Sequence, residues 1–168
     1  MSTVYAALVQ LKALLLTATA AGQPALTAGY IMPDEYATIP TPPALPFLIV
    51  GELYNVPNES LRKAAGLAVH KWRAEVLIFA AQGPLTTLNS STAAAMLKTR
   101  GWAKALSDVL WANQSLNGAA QIIGEPAGEM RRLFQYGIGH IYLGDTQTYW
   151  GLRLELPIQQ TYAQSMSA

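Results

Sequence analysis

The sequence predicts an α+β domain: an antiparallel sheet with two helices packed on one face and a long C-terminal β-hairpin. Three observations predict it. Apolar residues near the N-terminus recur at helical spacing, and a second helical stretch follows in mid-chain. The last third alternates apolar and polar residues on both sides of a short turn. The resulting order is helix, connection, strand, strand, helix, short strand, hairpin, an α+β layering. At 168 residues the chain suits one domain with its own core, expected over 1–158, with a tail at 159–168.

The first helix is expected within residues 4–21. Val4, Leu8, Leu11 and Leu15 fall at i, i+4, i+7 and i+11, and Ala7, Leu14 and Ala18 widen the stripe. Ser2 or Thr3 can cap its start and Gly22 can end it. A secretory signal places basic residues ahead of its apolar run, whereas Lys12 lies inside this one, so an uncleaved helix is expected.

Periodicity stops over 22–46, where Pro24, Pro33, Pro40, Pro42, Pro43 and Pro46 fall. Proline fixes φ and removes a donor, so this stretch reads as an extended arm. Its length suits a functional arm reaching a neighbour. It equally suits a strap over the apolar core through Tyr30, Ile31, Tyr36 and Ile39.

Residues 47–51 read as a short buried strand entered after Pro46. Residues 55–66 carry turn signals and the basic pair Arg62 and Lys63. A long strand follows at 68–82, with Trp72, Ala74, Val76, Ile78 and Ala80 on one face. Leu77 and Phe79 make its second half apolar on both faces, so that half should be covered on both sides, a neighbouring subunit being one source of cover.

A second helix is expected over 92–112, capped by Ser90 or Ser91, with Met96, Ala103, Leu106, Val109 and Leu110 on one face. Gly101 weakens its middle by about 1 kcal/mol relative to Ala and predicts a kink or a close helix contact there. Asn117 and Gly118 end the segment, 119–123 is a short strand, and 124–128 reads as a turn. Two strands at 131–143 and 148–158 then flank a loop at 144–147. In the second, Trp150, Leu152, Leu154, Leu156 and Ile158 face inward, while Tyr149, Gly151, Arg153, Glu155 and Pro157 face outward. Residues 159–168 lack a core-forming pattern and read as a tail.

Charge supplies the main functional clue. Charged residues make up 12% of the chain, about half of the ~25% usual in soluble domains. A monomer of 18.1 kDa exposes roughly 8,000 Å², or about 380 Å² for each charge. Mean hydropathy is +0.19, yet no apolar run reaches the ~18 residues of a membrane span. Much of the surface is therefore expected to face other protein subunits, whose interface cores are poor in charge. The sparsest stretches are 1–22, holding only Lys12, and 133–158, holding Asp145, Arg153 and Glu155. The first helix and closing hairpin are thus the expected contact regions. A net charge of +1 argues against a dedicated nucleic-acid binder.

Nothing in the sequence assembles a catalytic constellation. With no Cys there is no disulfide framework, thiolate nucleophile or Cys-containing zinc site. His70 and His140 lack an HExxH helix or a third ligand at metal spacing. The stretch 124–129 lacks the Gly-Lys-Ser/Thr ending of a phosphate loop, and Gly137-Ile138-Gly139 lacks the third glycine of a dinucleotide fingerprint. There is no Gly-x-Ser-x-Gly elbow. Asp34, Glu35, Glu125 and Glu129 are scattered and read as solvated loop charge, and Arg131 and Arg132 as a subunit contact or solvated pair. The chain is accordingly expected not to be an enzyme and to need no cofactor and no metal. One rival stays open, a small-molecule-binding or hydrolytic domain with a pocket near His140, Tyr142 and Trp150.

The layout of the N-terminal helix, the strand-helix unit over 70–112 and the closing hairpin resembles the tail terminator proteins of long-tailed bacteriophages. The stretch Ile141-Tyr142-Leu143 to Tyr149-Trp150-Gly151-Leu152-Arg153-Leu154-Glu155-Leu156 is similar to the aromatic-Gly, alternating strand that ends many of them. The resemblance covers most of the chain. It implies a virion protein forming a homo-oligomeric ring, hexameric in that family, on the head-proximal end of the tail tube. Its partners would be the tail-tube protein, a head-completion or neck protein, and DNA passing through the lumen without sequence-specific binding. Assembly would take place in the host cytoplasm, with no membrane partner. Asp145, Arg153 and Glu155 are the candidate lumen-facing residues, Arg153 cutting against a purely acidic lining. Candidate subunit or partner contacts are Tyr30, Ile31, Tyr36, Arg131, Arg132, Tyr149 and Trp150. A head-tail connector or a tail-tube subunit is the alternative in the same setting.

Overall fold

The computed structural model describes residues 3–53, 59–63, 67–83, 89–127, 130–132, 134–144 and 146–163. Its elements in chain order are helix α1 (Thr3–Leu15), strands β1 (Ala28–Met32), β2 (Phe47–Glu52), β3 (Glu59–Lys63) and β4 (Leu67–Gln82), and helix α2 (Ser90–Ala112). Strands β5 (Gln121–Ile122), β6 (Glu125–Ala127), β7 (Met130–Arg132), β8 (Gln135–Leu143) and β9 (Gln147–Ala163) complete it. Among the described residues no helix is long and apolar enough to cross a membrane.

The fold is α+β, as the sequence predicts. The main sheet runs β1-β2-β4-β9-β5, with β3 alongside β4 and β8 alongside β9, while β6 and β7 form a separate two-stranded piece. Every pairing in the main sheet is antiparallel except β1 with β2. That parallel pair departs from the expected all-antiparallel sheet. Its cause is the arm: β1 lies inside the Pro-rich stretch, whose prolines mask a five-residue strand from periodicity.

Both helices lie on one face. Leu8, Leu11 and Leu15 of α1 and Trp102, Leu106 and Leu110 of α2 meet a sheet surface of Leu48, Val50, Trp72, Val76, Ile78, Leu152, Leu154, Leu156 and Ile158. Burying each such aliphatic side chain stabilises the fold by about 1.5–3 kcal/mol. Helix α1 stops at Leu15, short of Gly22, because the Thr17 hydroxyl and the Thr17 N–H both take the Leu14 carbonyl, at 2.7 and 3.0 Å. Ser2 lies outside the described residues. Ala7, Leu8, Leu11 and Leu15 of α1 are buried within the chain itself, while Ala6 and Ala13 are exposed.

Helix α2 begins at Ser90 and is capped by Asn89, whose side-chain oxygen accepts from the Thr92 N–H at 3.0 Å. The cap is therefore Asn89, one residue before the serines expected for it. Asn89→Ala should cost about 1 kcal/mol, read as a lower urea midpoint at an unchanged slope. At Gly101 the nearest neighbour is Ala20, outside the helices, at an ordinary van der Waals distance of 3.9 Å from a Cβ built on that glycine, so the expected close helix contact is not seen among the described residues.

The opposite, outer face carries a second apolar cluster of Phe47, Ile49, Phe79, Ile141 and Tyr149, against which Ile39, Leu45 and Leu143 pack. Phe47 and Phe79 stack with ring centroids 4.4 Å apart, and Tyr149 meets both edge-on at 5.9 and 5.3 Å. Leu77 and Phe79 are thus covered by the chain's own arm and hairpin. The arm behaves as a strap in this region, the second of its two open readings.

Strand β4 is bulged between Phe79 and Ala81, so Ala80 leaves the face it was expected to share with Ile78. Strand β3 occupies part of the 55–66 stretch expected as turn, and β6 part of the 124–128 turn. The tail is also shorter than expected, since β9 continues to Ala163. The reason is Gln160, which is buried, accepts from the Trp72 indole N–H at 3.0 Å and donates to the Ala119 carbonyl at 3.2 Å. Residues 164–168 lie outside the described ones.

Candidate assembly surface

The outer face and the sheet edges remain to be explained once the helices have covered the inner face. Across the middle of the outer face, Glu75 of β4 stands opposite Glu155 of β9, a pairing of like charges that is unfavourable alone. Arg153 resolves it, bonding Glu75 through Nε and approaching Glu155 at 3.5 Å. Arg153 and Glu155 therefore share one face, as the alternation predicts, and with Glu75 form a cluster in which one cation faces two carboxylates. Asp145, the third lumen candidate, lies outside the described residues. The sequence offered no signal for Glu75, since only the strand register brings it to Arg153.

Beside this cluster, Gly137 and Gly139 of β8 have open space where a side chain would stand. Together with Gln135, His140, Arg153 and Glu155 they line a shallow depression of about 380 Å³. A more apolar cavity of about 310 Å³ lies between arm and hairpin, walled by Met32, Pro33, Tyr36, Leu77, Phe79, Tyr142 and Leu143. His140 thus lines one space and Tyr142 another. Trp150 meets His140 edge-on at 5.2 Å, and its buried indole N–H makes no hydrogen bond. Neither of these two spaces is lined by all three residues, and among the described residues no group of three or more His, Asp or Glu could hold a metal.

The contact candidates divide. Ile31 is fully buried and Tyr149 is 4% exposed, so neither is open to a partner. Both sit in strands whose two faces are covered, a fact alternation alone does not reveal. Tyr30 packs edge-on against Phe47 at 6.2 Å. Tyr36 is exposed and lies against the hairpin turn at Gly144. Arg131 and Arg132 belong to β7, paired with Pro126 and Glu125 of β6. Among the described residues this small hairpin pairs only with itself and no other element packs extensively on it. An isolated two-stranded hairpin is marginal in water.

The two outer edges of the sheet differ. Strand β8, reading QYGIGHIYL, has β9 on one side and, among the described residues, no strand on the other. It holds no Lys, Arg, Asp, Glu or proline, residues that commonly protect a sheet edge. Tyr136 and Tyr142 on it are 58% and 71% exposed. At the far edge, the main chain of Ile31 in β1 is occupied by Glu35: its N–H donates to the carboxylate and its carbonyl accepts from the Glu35 N–H, each at 2.7 Å. Lys12 of α1 holds the same carboxylate at 2.9 Å. Glu35, read from sequence as solvated loop charge, is thus a structural anchor.

No protein-family model matches this chain, and a search of curated proteins finds no match. The functional reading accordingly rests on these surfaces.

Proposed function

We propose that the chain is a structural virion protein that assembles into a ring, hexameric on the family resemblance, capping the tail tube and joining it to the head-proximal neck. The observation that carries this reading is strand β8: nine residues without Lys, Arg, Asp, Glu or Pro that have, among the described residues, no strand beyond them and that hold the exposed Tyr136 and Tyr142. Such an edge invites association, and a surface built for it explains a charged fraction of 12%. The outer face offers a surface past which DNA can slide, because Arg153 is engaged by two carboxylates and the cluster as a whole does not attract phosphate. Tail-tube protein and a head-completion or neck protein would meet the two ends of the ring.

A ring requires a heterologous contact that closes by rotation. Light scattering on the purified chain at tens of micromolar should report a mass near that of six chains. A single-chain mass at every concentration, unchanged by added tail-tube protein, would count against the ring. A connector or tube-subunit role belongs to the same setting, and open stacked tubes from this protein alone would favour the latter.

A further inference from the structure

We infer that residues 33–42 form a flap on the outer face, hinged on residues 43–46 and held shut by the ion pair between Lys12 and Glu35, so that helix α1 on the inner face governs its opening. The inference stands apart from the ring reading and is tested without it.

The path of the chain sets up the flap. Strand β1 pairs in parallel with β2, Ala28 beside Phe47 and Met32 beside Gly51. A chain leaving β1 at Met32 must therefore travel back along the strand before it can enter β2, and residues 33–46 make that return over the outer face. Ile39 and Leu45 pack on the outer cluster as it passes. Pro33 and Tyr36 form one wall of the cavity of about 310 Å³ whose other side holds Leu77 and Phe79.

The two ends of this crossover are held differently. At the returning end the Thr27 N–H donates to the Pro46 carbonyl at 2.8 Å and the Thr27 hydroxyl to the Ala44 carbonyl at 2.7 Å. Pro43 and Pro46 are buried there, and Phe47 follows inside the cluster itself. Of residues 33–42, by contrast, only Glu35 and Ile39 are not exposed. The departing end thus hangs chiefly on Glu35. Its carboxylate accepts from the Ile31 N–H at 2.7 Å, which shapes the local turn, and from Lys12 Nζ at 3.0 and 2.9 Å, which ties that turn to α1.

The tie crosses strand β1. The Lys12 stem passes over Gly29, where a Cβ built on the glycine would lie 3.0 Å from Lys12 Cγ. The two charged side chains keep 20% and 28% of their exposure, so dissolved salt screens the pair. Breaking it leaves the turn between Glu35 and Ile31 intact but frees the turn from the helix. The flap then swings about residues 43–46, which Thr27 still holds, and the cavity loses the Pro33 and Tyr36 wall. The open form is a minor state whose population the ion pair sets.

Chymotrypsin cleavage after Tyr36 in the full chain, normalised to a free peptide of residues 30–43, reads this opening. Lys12→Met keeps a stem over Gly29, removes the charge and leaves the cleaved sequence unchanged. It should speed cleavage about fivefold, whereas Lys104→Met, which breaks the exposed pair with Asp108, should not. In the unsubstituted chain, raising salt from about 0.05 to about 1 M should bring the rate close to that of Lys12→Met, which salt itself should leave unmoved. Urea below the unfolding transition should hardly alter either rate, because a local opening exposes little surface. Equal cleavage of the Lys12→Met and unsubstituted chains, equal acceleration by Lys104→Met, a salt-independent rate, or cleavage as steep in urea as global unfolding would each overturn the flap. Should Lys12→Met lose its cooperative thermal transition, the salt and urea series on the unsubstituted chain decide alone.

Discussion

Gly151→Ala is expected to destabilise the fold by about 3 kcal/mol or more, the largest effect of a Gly→Ala change among the described glycines. Gly151 sits in β9 opposite Phe79, immediately beside the β4 bulge. A Cβ built there falls inside the van der Waals surface of the Ile78 carbonyl oxygen and lies 2.9 Å from Ile141 Cδ1. The side-chain atom of Ile141 can move, but the carbonyl belongs to the backbone of the central strand pair. Relief requires the bulge to shift, and with it the register that sets Ile78 against Leu152. Urea denaturation at 25 °C measures the loss. A midpoint corresponding to less than about 1 kcal/mol would show that the strands do not approach this closely.

Phe79→Ala is expected to cost about 3–5 kcal/mol and to loosen the arm. Phe79 is fully buried on the outer face, stacked on Phe47 and met edge-on by Tyr149, so truncation removes the floor on which Ile39 and Leu45 rest. The consequence is local as well as global: limited proteolysis within residues 33–46 should accelerate well before the sheet unfolds. Leu97→Ala supplies the comparison, since Leu97 is 67% exposed on α2 and its loss should stay within about 0.5 kcal/mol. Equal arm cleavage in the two variants would show that the outer cluster does not hold the strap.

Much of this fold is legible in the sequence because period carries it. Leu152, Leu154, Leu156 and Ile158 alternate and are all fully buried on the helix side, and Val4, Leu8, Leu11 and Leu15 recur at helical spacing in α1. Period identifies a face but not what covers it. Tyr149 and Gly151 read as outward and are indeed on the outer face, yet both are buried because the arm and hairpin supply a second core there. Strand β1 escaped notice because its five residues lie among prolines, and its parallel pairing with β2 depends on the crossing path of the arm. Strand β3 escaped for a related reason: ESLRK carries three charges in five residues and is defined by its pairing with β4.

The surface features were less legible than the fold. The closing hairpin was expected to carry contacts because it is poor in charge, and Tyr136 and Tyr142 give that expectation a place. The role of Glu35 had no local signal, since Lys12 lies 23 positions away and the Ile31 main chain carries no sequence signature. Likewise the Glu75-Arg153-Glu155 cluster exists only through the β4-β9 register. Pairwise facts of this kind require the fold before they can be read.

The role proposed for this chain is that of a closed ring of identical copies. Negative-stain images of the purified protein at tens of micromolar bear on it most directly. Six-fold rings of uniform diameter are the expected result, and fields of single particles or two-fold dimers at every concentration would contradict it.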